Sequence, residues 1–416
     1  MCVSEATRRF GFWLASAAIL VFSAAVAAPS PVYPLYQAKW GLSPAVMTGI
    51  FGIYVAGLLA GLLTAGSLSD HVGRRPVILP AVTILVAALL VLGTAGDPTA
   101  IWIGRVLEGL AMSLVVGSLG ATLLDLAPPG NARLAATFNG SLWPLGLAVG
   151  AVLGGALVEF APDPSRLVYF VLAVVTLVLL VVLWFLPTPR VRRPGAVASL
   201  RPTMTMPPKV RGVFLAVLGC LLAAWALGGL YLGLGASVVA TVFGIHAALA
   251  AGLAMAAVTG VGAITGILVQ RRDAVHVMVG GSTMLVIGPA LMIVAVATDT
   301  PWLFFVASVV SGIGFGAGFQ GGLRLILAEV AEGDRAGVLS SVYVVCYCAF
   351  CLPALAAGFL TPVLGLKEVV LGYAALVIAM AAVALLIQLL KPSVRAAEVA
   401  AEGDEIAQEQ EPAASL

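Results

Sequence analysis

Long apolar runs separated by short polar breaks set the pattern of this chain. They fall near residues 10–28, 44–67, 77–95, 99–126, 134–160 and 167–186, then 213–242, 247–270, 276–297, 301–330, 336–362 and 369–390. Each is long enough to cross a hydrocarbon core of roughly 30 Å as a helix. Without water there the backbone must satisfy its own hydrogen bonds, so the pattern predicts an all-α membrane protein of twelve transmembrane helices. The first run follows Arg8-Arg9 and contains Ala25-Val26-Ala27, imitating an export signal. The segments behind it favour a retained first helix, its far end broken by Pro29, Pro31 and Pro34.

Between residues 187 and 209, prolines, arginines and small polar residues replace leucine and valine. This break predicts a linker between residues 1–186 and 210–391, with residues 392–416 forming a disordered acidic tail. A shift of about 203 residues brings Trp40-Gly41-Leu42 onto Phe243-Gly244-Ile245, Asp70 onto Asp273, Gly109 onto Gly312 and Gly155 onto Gly358. The two parts therefore read as pseudo-symmetric six-helix bundles, an arrangement that places a binding site between them near the bilayer midplane.

Composition excludes a soluble globular chain: 61% of residues are hydrophobic, 10% are charged, and mean hydropathy is +1.11. The net charge of +2 says little, but its distribution says more. With the N-terminus inside, only Lys39, Arg166 and Lys367 fall outside, while Arg105 and Arg324 lie within helices. That bias predicts a multi-pass protein of the cell membrane with both termini cytoplasmic. It also accounts for the basic residues without nucleic-acid binding. A helix turning about 100° per residue puts Cys346 far round from Cys348, and no histidine lies near Cys351 in sequence, so neither a metal cluster nor a disulfide is expected. The Gly316-Ala-Gly318-Phe-Gln-Gly321 run matches a dinucleotide fingerprint formally but lacks its strand, and no cofactor is expected.

Polar chemistry concentrates in a few places. Gly66-Ser-Leu-Ser-Asp70-His71-Val-Gly73-Arg74-Arg75 packs charge between two apolar runs. The glycines permit close approach, and the aspartate and arginines can hold partners across helix ends. Arg105 and Glu108, three residues apart, share a helical face inside an apolar run, where charges are costly and face a cavity or each other. At the shifted positions stand Ser308 and Ser311, so the pair belongs to one half. Tyr33, Trp143, Tyr231, Gln320, Arg324, Tyr343 and Tyr347 are the aromatic and polar candidates for a substrate cavity. A channel would show rings of like charge, and an enzyme a clustered catalytic set; neither is visible.

The Gly66–Arg75 stretch resembles the signature of the major facilitator superfamily of secondary transporters, with His71 in place of the usual basic residue. Arg105-Val-Leu-Glu108-Gly109 is similar to a motif of proton-coupled members. Gly150-Ala-Val-Leu-Gly154-Gly155 is similar to an antiporter motif, with Ala151 replacing its proline; ordinary small-residue packing explains this stretch equally well. The resemblance implies alternating access, with Asp70, Arg74 and Asp125 forming a gate and Glu108 exchanging protons beside Arg105. It is closest to the twelve-helix drug/proton antiporters. The expected partners are a small-molecule substrate, protons and the lipid bilayer, for a monomer that exports a hydrophobic or weakly cationic compound. Proton-linked uptake of a metabolite is the same-fold alternative.

Overall fold

The computed structural model describes residues 4–66, 68–128, 132–187, 196–197, 204–331 and 334–390. Most of the predicted linker and the whole predicted acidic tail lie outside them. The first helices are α1 (Glu5–Ala27), α2 (Tyr33–Trp40), α3 (Pro44–Ala65), the short α4 (Leu68–Val72), α5 (Arg75–Gly93), α6 (Pro98–Asp125), α7 (Ala132–Phe160) and α8 (Leu167–Leu183). They are followed by α9 (Pro208–Ser237), α10 (Ala248–Leu268), α11 (Ala274–Ala297), α12 (Pro301–Ala328), α13 (Arg335–Leu364) and α14 (Leu366–Leu390). Eleven helical spans are long and apolar enough to cross a membrane, and α8 is a shorter apolar helix. No strand occurs among the described residues.

The internal duplication is visible in the helices themselves. Moving α6 by 203 residues reproduces the bounds of α12, each beginning with a proline at its first helical position, where a missing N–H costs nothing. Gly41 and Gly244, one shift apart, both turn with positive φ, +62° and +65°. Packing repeats as well. Within one group α1 packs on α6, α7 and α8, α5 on α6 and α8, and α3 on α6. The second group repeats this with α9 on α12, α13 and α14, α11 on α12 and α14, and α10 on α12. The groups meet along two related seams, α7 with α10 and α3 with α13.

Small residues set these distances. Gly146, Gly150 and Gly154 face α1 and lie against Leu20, Ala24 and Ala28, while Gly155 turns to Ala248 and Leu249 of α10. In the second group Gly314 and Gly318 meet α11 at Leu285, and Gly281 lies against Gly318. Backbones approach closely here because no Cβ intervenes, the usual way that helices associate in lipid, where a hydrophobic driving force is missing.

Several predicted boundaries differ: α9 begins at Pro208, inside the expected linker, α14 begins at Leu366, and two others have a clear local cause. The prolines after Ala28 do not end the first helical segment: a 3₁₀ turn over Ser30–Val32 leads straight into α2, so helical backbone continues to Trp40. Pro29 sits in right-handed helical geometry at φ −67°, and each proline falls where its missing N–H is tolerated. At the other boundary α8 stops at Leu183 rather than 186. There Phe185 and Leu186 close 3₁₀-type bonds to Val182 and Leu183, and Pro187 disfavours helix at the residue before it.

Candidate functional site

One end of the molecule carries the turn around Arg74 and the other carries Trp40. At the Arg74 end, Gly73 adopts φ +99° between α4 and α5. A side chain there would cost about 1–2 kcal/mol, so glycine is needed for the turn itself. The turn points Arg74 inward, where its guanidinium is almost fully buried. Its Nη1 donates to Asp70 Oδ1 at 2.7 Å and Ser69 Oγ at 2.8 Å, and its Nε donates to Asp125 Oδ2 at 3.0 Å. One cation thus ties α4, α5 and the end of α6 together. Gly66 completes the contact: a Cβ on Gly117 of α6 would fall 3.0 Å from the Gly66 carbonyl oxygen. Arg75 takes a different kind of partner from Arg74. Its guanidinium lies 5.0 Å from the ring centroid of Trp184, because the next residue along the helix start points to the opposite side.

The second cluster lies within the first group, toward the Trp40 end. Arg105 and Glu108 of α6 are 1% and 0% exposed, and Nη1 of the arginine donates to Glu108 Oε2 at 2.6 Å. The α-helical ladder of α1 stops at Ala27, leaving its last carbonyls without helical partners. That of Val26 accepts from Arg105 Nη1 at 3.4 Å. The guanidinium also stands 4.8 Å from the ring centroid of Tyr54 on α3. Arg105 Nε and Nη2, Glu108 Oε1 and the Tyr33 hydroxyl remain buried without a hydrogen-bond partner among the described residues. Each such group costs about 1–3 kcal/mol, so four in one place form a strongly polar spot in an apolar surrounding. Tyr54 belongs to α3, which also packs on α13 of the second group.

The second group contributes aromatic rings. Trp225 of α9 stands edge-on to Tyr347 with centroids 4.8 Å apart, and meets Phe319 at 5.6 Å, Phe350 at 6.1 Å and Tyr343 at 6.2 Å. Phe51 of α3 reaches across the seam to Phe350 at 5.1 Å. Among the described residues the buried Trp225 Nε1–H has no hydrogen-bond partner. Trp225, Tyr54 and Phe51 were not among the sequence candidates. For Trp225 and Tyr54 the signal was available, since each is an aromatic with a polar handle in the middle of an apolar run, as Trp143 is.

Other candidates fall elsewhere. The Tyr231 hydroxyl is 2.9 Å from Ser308 Oγ, and its ring stacks on Phe304, inside the packing of the second group. Ser308 and Ser311 are the shifted counterparts of Arg105 and Glu108, so neutral hydroxyls fill in one half the place that an ion pair fills in the other. Arg324 donates from Nη2 to the Arg272 carbonyl at 2.9 Å, at the turn between α10 and α11, which takes it out of the aromatic cluster. Its long stem lets the charge reach the helix end. Gln320 lies in the α7–α10 seam against Gly140 and Gly266. Trp143 is half-buried on α7 and packs on the core.

Comparison with known proteins follows the same line. A family model described as the Major Facilitator Superfamily matches residues 15–352. A gentisate transporter of Corynebacterium glutamicum is 29% identical over 140 residues, 34% of this chain and 32% of that protein. A tetracenomycin C resistance and export protein of Streptomyces glaucescens is 31% identical over 126 residues, 30% of this chain and 23% of that protein. The chain thus spans about a third or less of the length of these curated relatives. Among solved structures, a bacterial homologue of the human lysosomal transporter Spinster superposes with a TM-score of 0.76 at 16% identity. That match covers 93% of this chain and 98% of the other.

Proposed function

The chain belongs to the Major Facilitator Superfamily of transporters, and on that premise we propose that it exports a hydrophobic or weakly cationic small molecule in exchange for protons. In this reading two bundles, residues 1–186 and 210–391, rock about the space between the Arg105–Glu108 pair and the Trp225 cluster. The Arg74 end lies in the cytoplasm with both termini, the chain is a monomer in the cell membrane, and Asp70, Arg74 and Asp125 bias which mouth is shut. Only contacts that differ between the two states can exert that bias.

The observation that carries the proposal is the fully buried Arg105–Glu108 pair, three of whose own polar atoms, with the Tyr33 hydroxyl beside them, lack a partner among the described residues. A charge pair in lipid is expensive, and a static brace would be expected to satisfy its own hydrogen bonds. Glu108 serves as the proton carrier and Arg105 as the group that takes up the change in charge. The apolar and aromatic character of the facing cluster supports a hydrophobic substrate, and the tetracenomycin C resistance and export protein among its relatives supports the outward direction.

Proton-linked uptake of an organic anion is the second reading, favoured by the unpaired Nε and Nη2 of Arg105, which suit a carboxylate. In everted vesicles with an imposed proton gradient, an exporter loads its substrate and an uptake system does not. Glu108→Gln in proteoliposomes is expected to remove the response of flux to a pH gradient while leaving binding, followed by thermal shift, in place. Unchanged coupling in that variant excludes Glu108 as the carrier.

A further inference from the structure

The lipid-facing side of α5 and α8 holds a feature that the transport reading does not use. Pro80 lies just over one turn into α5 and cannot donate to the carbonyl of Pro76, while α8 ends early at Leu183. Between the two helices is a hollow of about 710 Å³, within the range of roughly 300–1,000 Å³ typical of small-ligand sites. Pro80, Thr83 and Ile84 line one wall, and Val181, Trp184 and Phe185 the other. The Thr83 hydroxyl is turned back onto the Leu79 carbonyl at 3.0 Å, so even this residue contributes no free donor. Val181, Trp184 and Phe185 are 60%, 59% and 70% exposed, leaving the hollow open to the side.

At its rim stands Arg75, stacked on Trp184. Among the described residues no carboxylate pairs with it, unlike its neighbour Arg74, which holds two. An apolar trough in contact with hydrocarbon, closed at one end by a cation lacking a counter-charge at the first residue of a transmembrane helix, matches an amphiphile with an anionic head. Arg75 stands at the start of α5 and Trp184 at the end of α8, and tryptophan and arginine are residues that collect at the membrane interface. We propose that the α5–α8 hollow binds an anionic glycerophospholipid, one acyl chain lying along Pro80, Thr83 and Val181 and the phosphate against Arg75.

The test is native mass spectrometry of the purified full-length chain offered chain-matched phosphatidylglycerol and phosphatidylcholine. Wild type is expected to retain phosphatidylglycerol about fivefold better, the preference that one basic side chain confers at an anionic surface. Arg75→Gln should bring the ratio to about one, whereas Arg271→Gln, a basic residue in the turn before α11, should leave it unchanged. Thr83→Trp, which fills the trough from a lipid-facing position, should reduce retention of both lipids. Equal retention of the two lipids by wild type, or an undiminished preference in Arg75→Gln, overturns the site. So does displacement of the lipid by soluble glycerol phosphate, which has no chain. The readout is bound lipid and requires no transport, so it stands or falls separately from the direction and coupling proposed above.

Discussion

Arg105→Ala is expected to abolish solute flux in proteoliposomes and to destabilise the protein by about 3–5 kcal/mol, the usual result of removing one partner from a buried ion pair. Glu108 is completely buried, and among the described residues its hydrogen bond comes from Arg105 Nη1 alone. Alanine therefore strands a carboxylate in the membrane interior. Arg105→Lys should also lose flux, because an ammonium cannot lie flat beside Tyr54 while forking toward Glu108 and Val26. The double variant Arg105→Met with Glu108→Leu separates structure from function. Apolar replacement of a buried pair is often neutral or stabilising, so thermal unfolding should recover while flux stays at background. Recovery of flux in that variant would reduce the pair to a brace.

Gly150→Val should prevent recovery of folded protein. A Cβ at this position would lie 2.1 Å from the Ala24 carbonyl oxygen and 2.5 Å from the Ala24 Cα, both backbone atoms that cannot swing aside. Accommodating it means parting α1 from α7 along their whole contact, well beyond the roughly 1–3 kcal/mol typical of core overpacking. Gly372→Ala on α14 meets nothing within 4 Å and should match or slightly exceed wild type, since alanine favours a helix by about 1 kcal/mol over glycine. Size-exclusion profiles of fluorescent fusions read both. A monodisperse Gly150→Val peak would show that the α1–α7 approach is dispensable.

How much of this was legible beforehand follows from which forces act locally. Helix number and placement could be read because a bilayer imposes one length and one secondary structure on every apolar run. The 203-residue offset could be read from a few coincidences, and the matching bounds of α6 and α12 are its structural form. Arg105 and Glu108 stood out because charge in an apolar run is rare, and their i, i+3 spacing dictates their contact. Which partner each arginine of the charged turn takes was not legible. Arg74 and Arg75 are adjacent and chemically alike, and only the positive φ of Gly73 and the position of Trp184 send one inward and the other out. Tyr231 looked like a cavity residue because sequence shows polarity but not what satisfies it, and Ser308 does so from a distant helix. Trp225 offered a polar handle in an apolar run, but the rings around it come from α12 and α13, far from it in the chain, so the cluster itself exists only after folding.

The most direct test of alternating access is pulsed electron-spin distance measurement on spin-labelled pairs in a cysteine-free background. One pair, Lys39 with His246, spans the two helix groups at the Trp40 end; the other, Arg9 with Lys209, spans them at the Arg74 end. Lowering the pH, or introducing Glu108→Gln, should widen one distance distribution while narrowing the other. Two distributions that stay fixed, or that move in the same direction, would contradict a carrier whose halves rock about a central site.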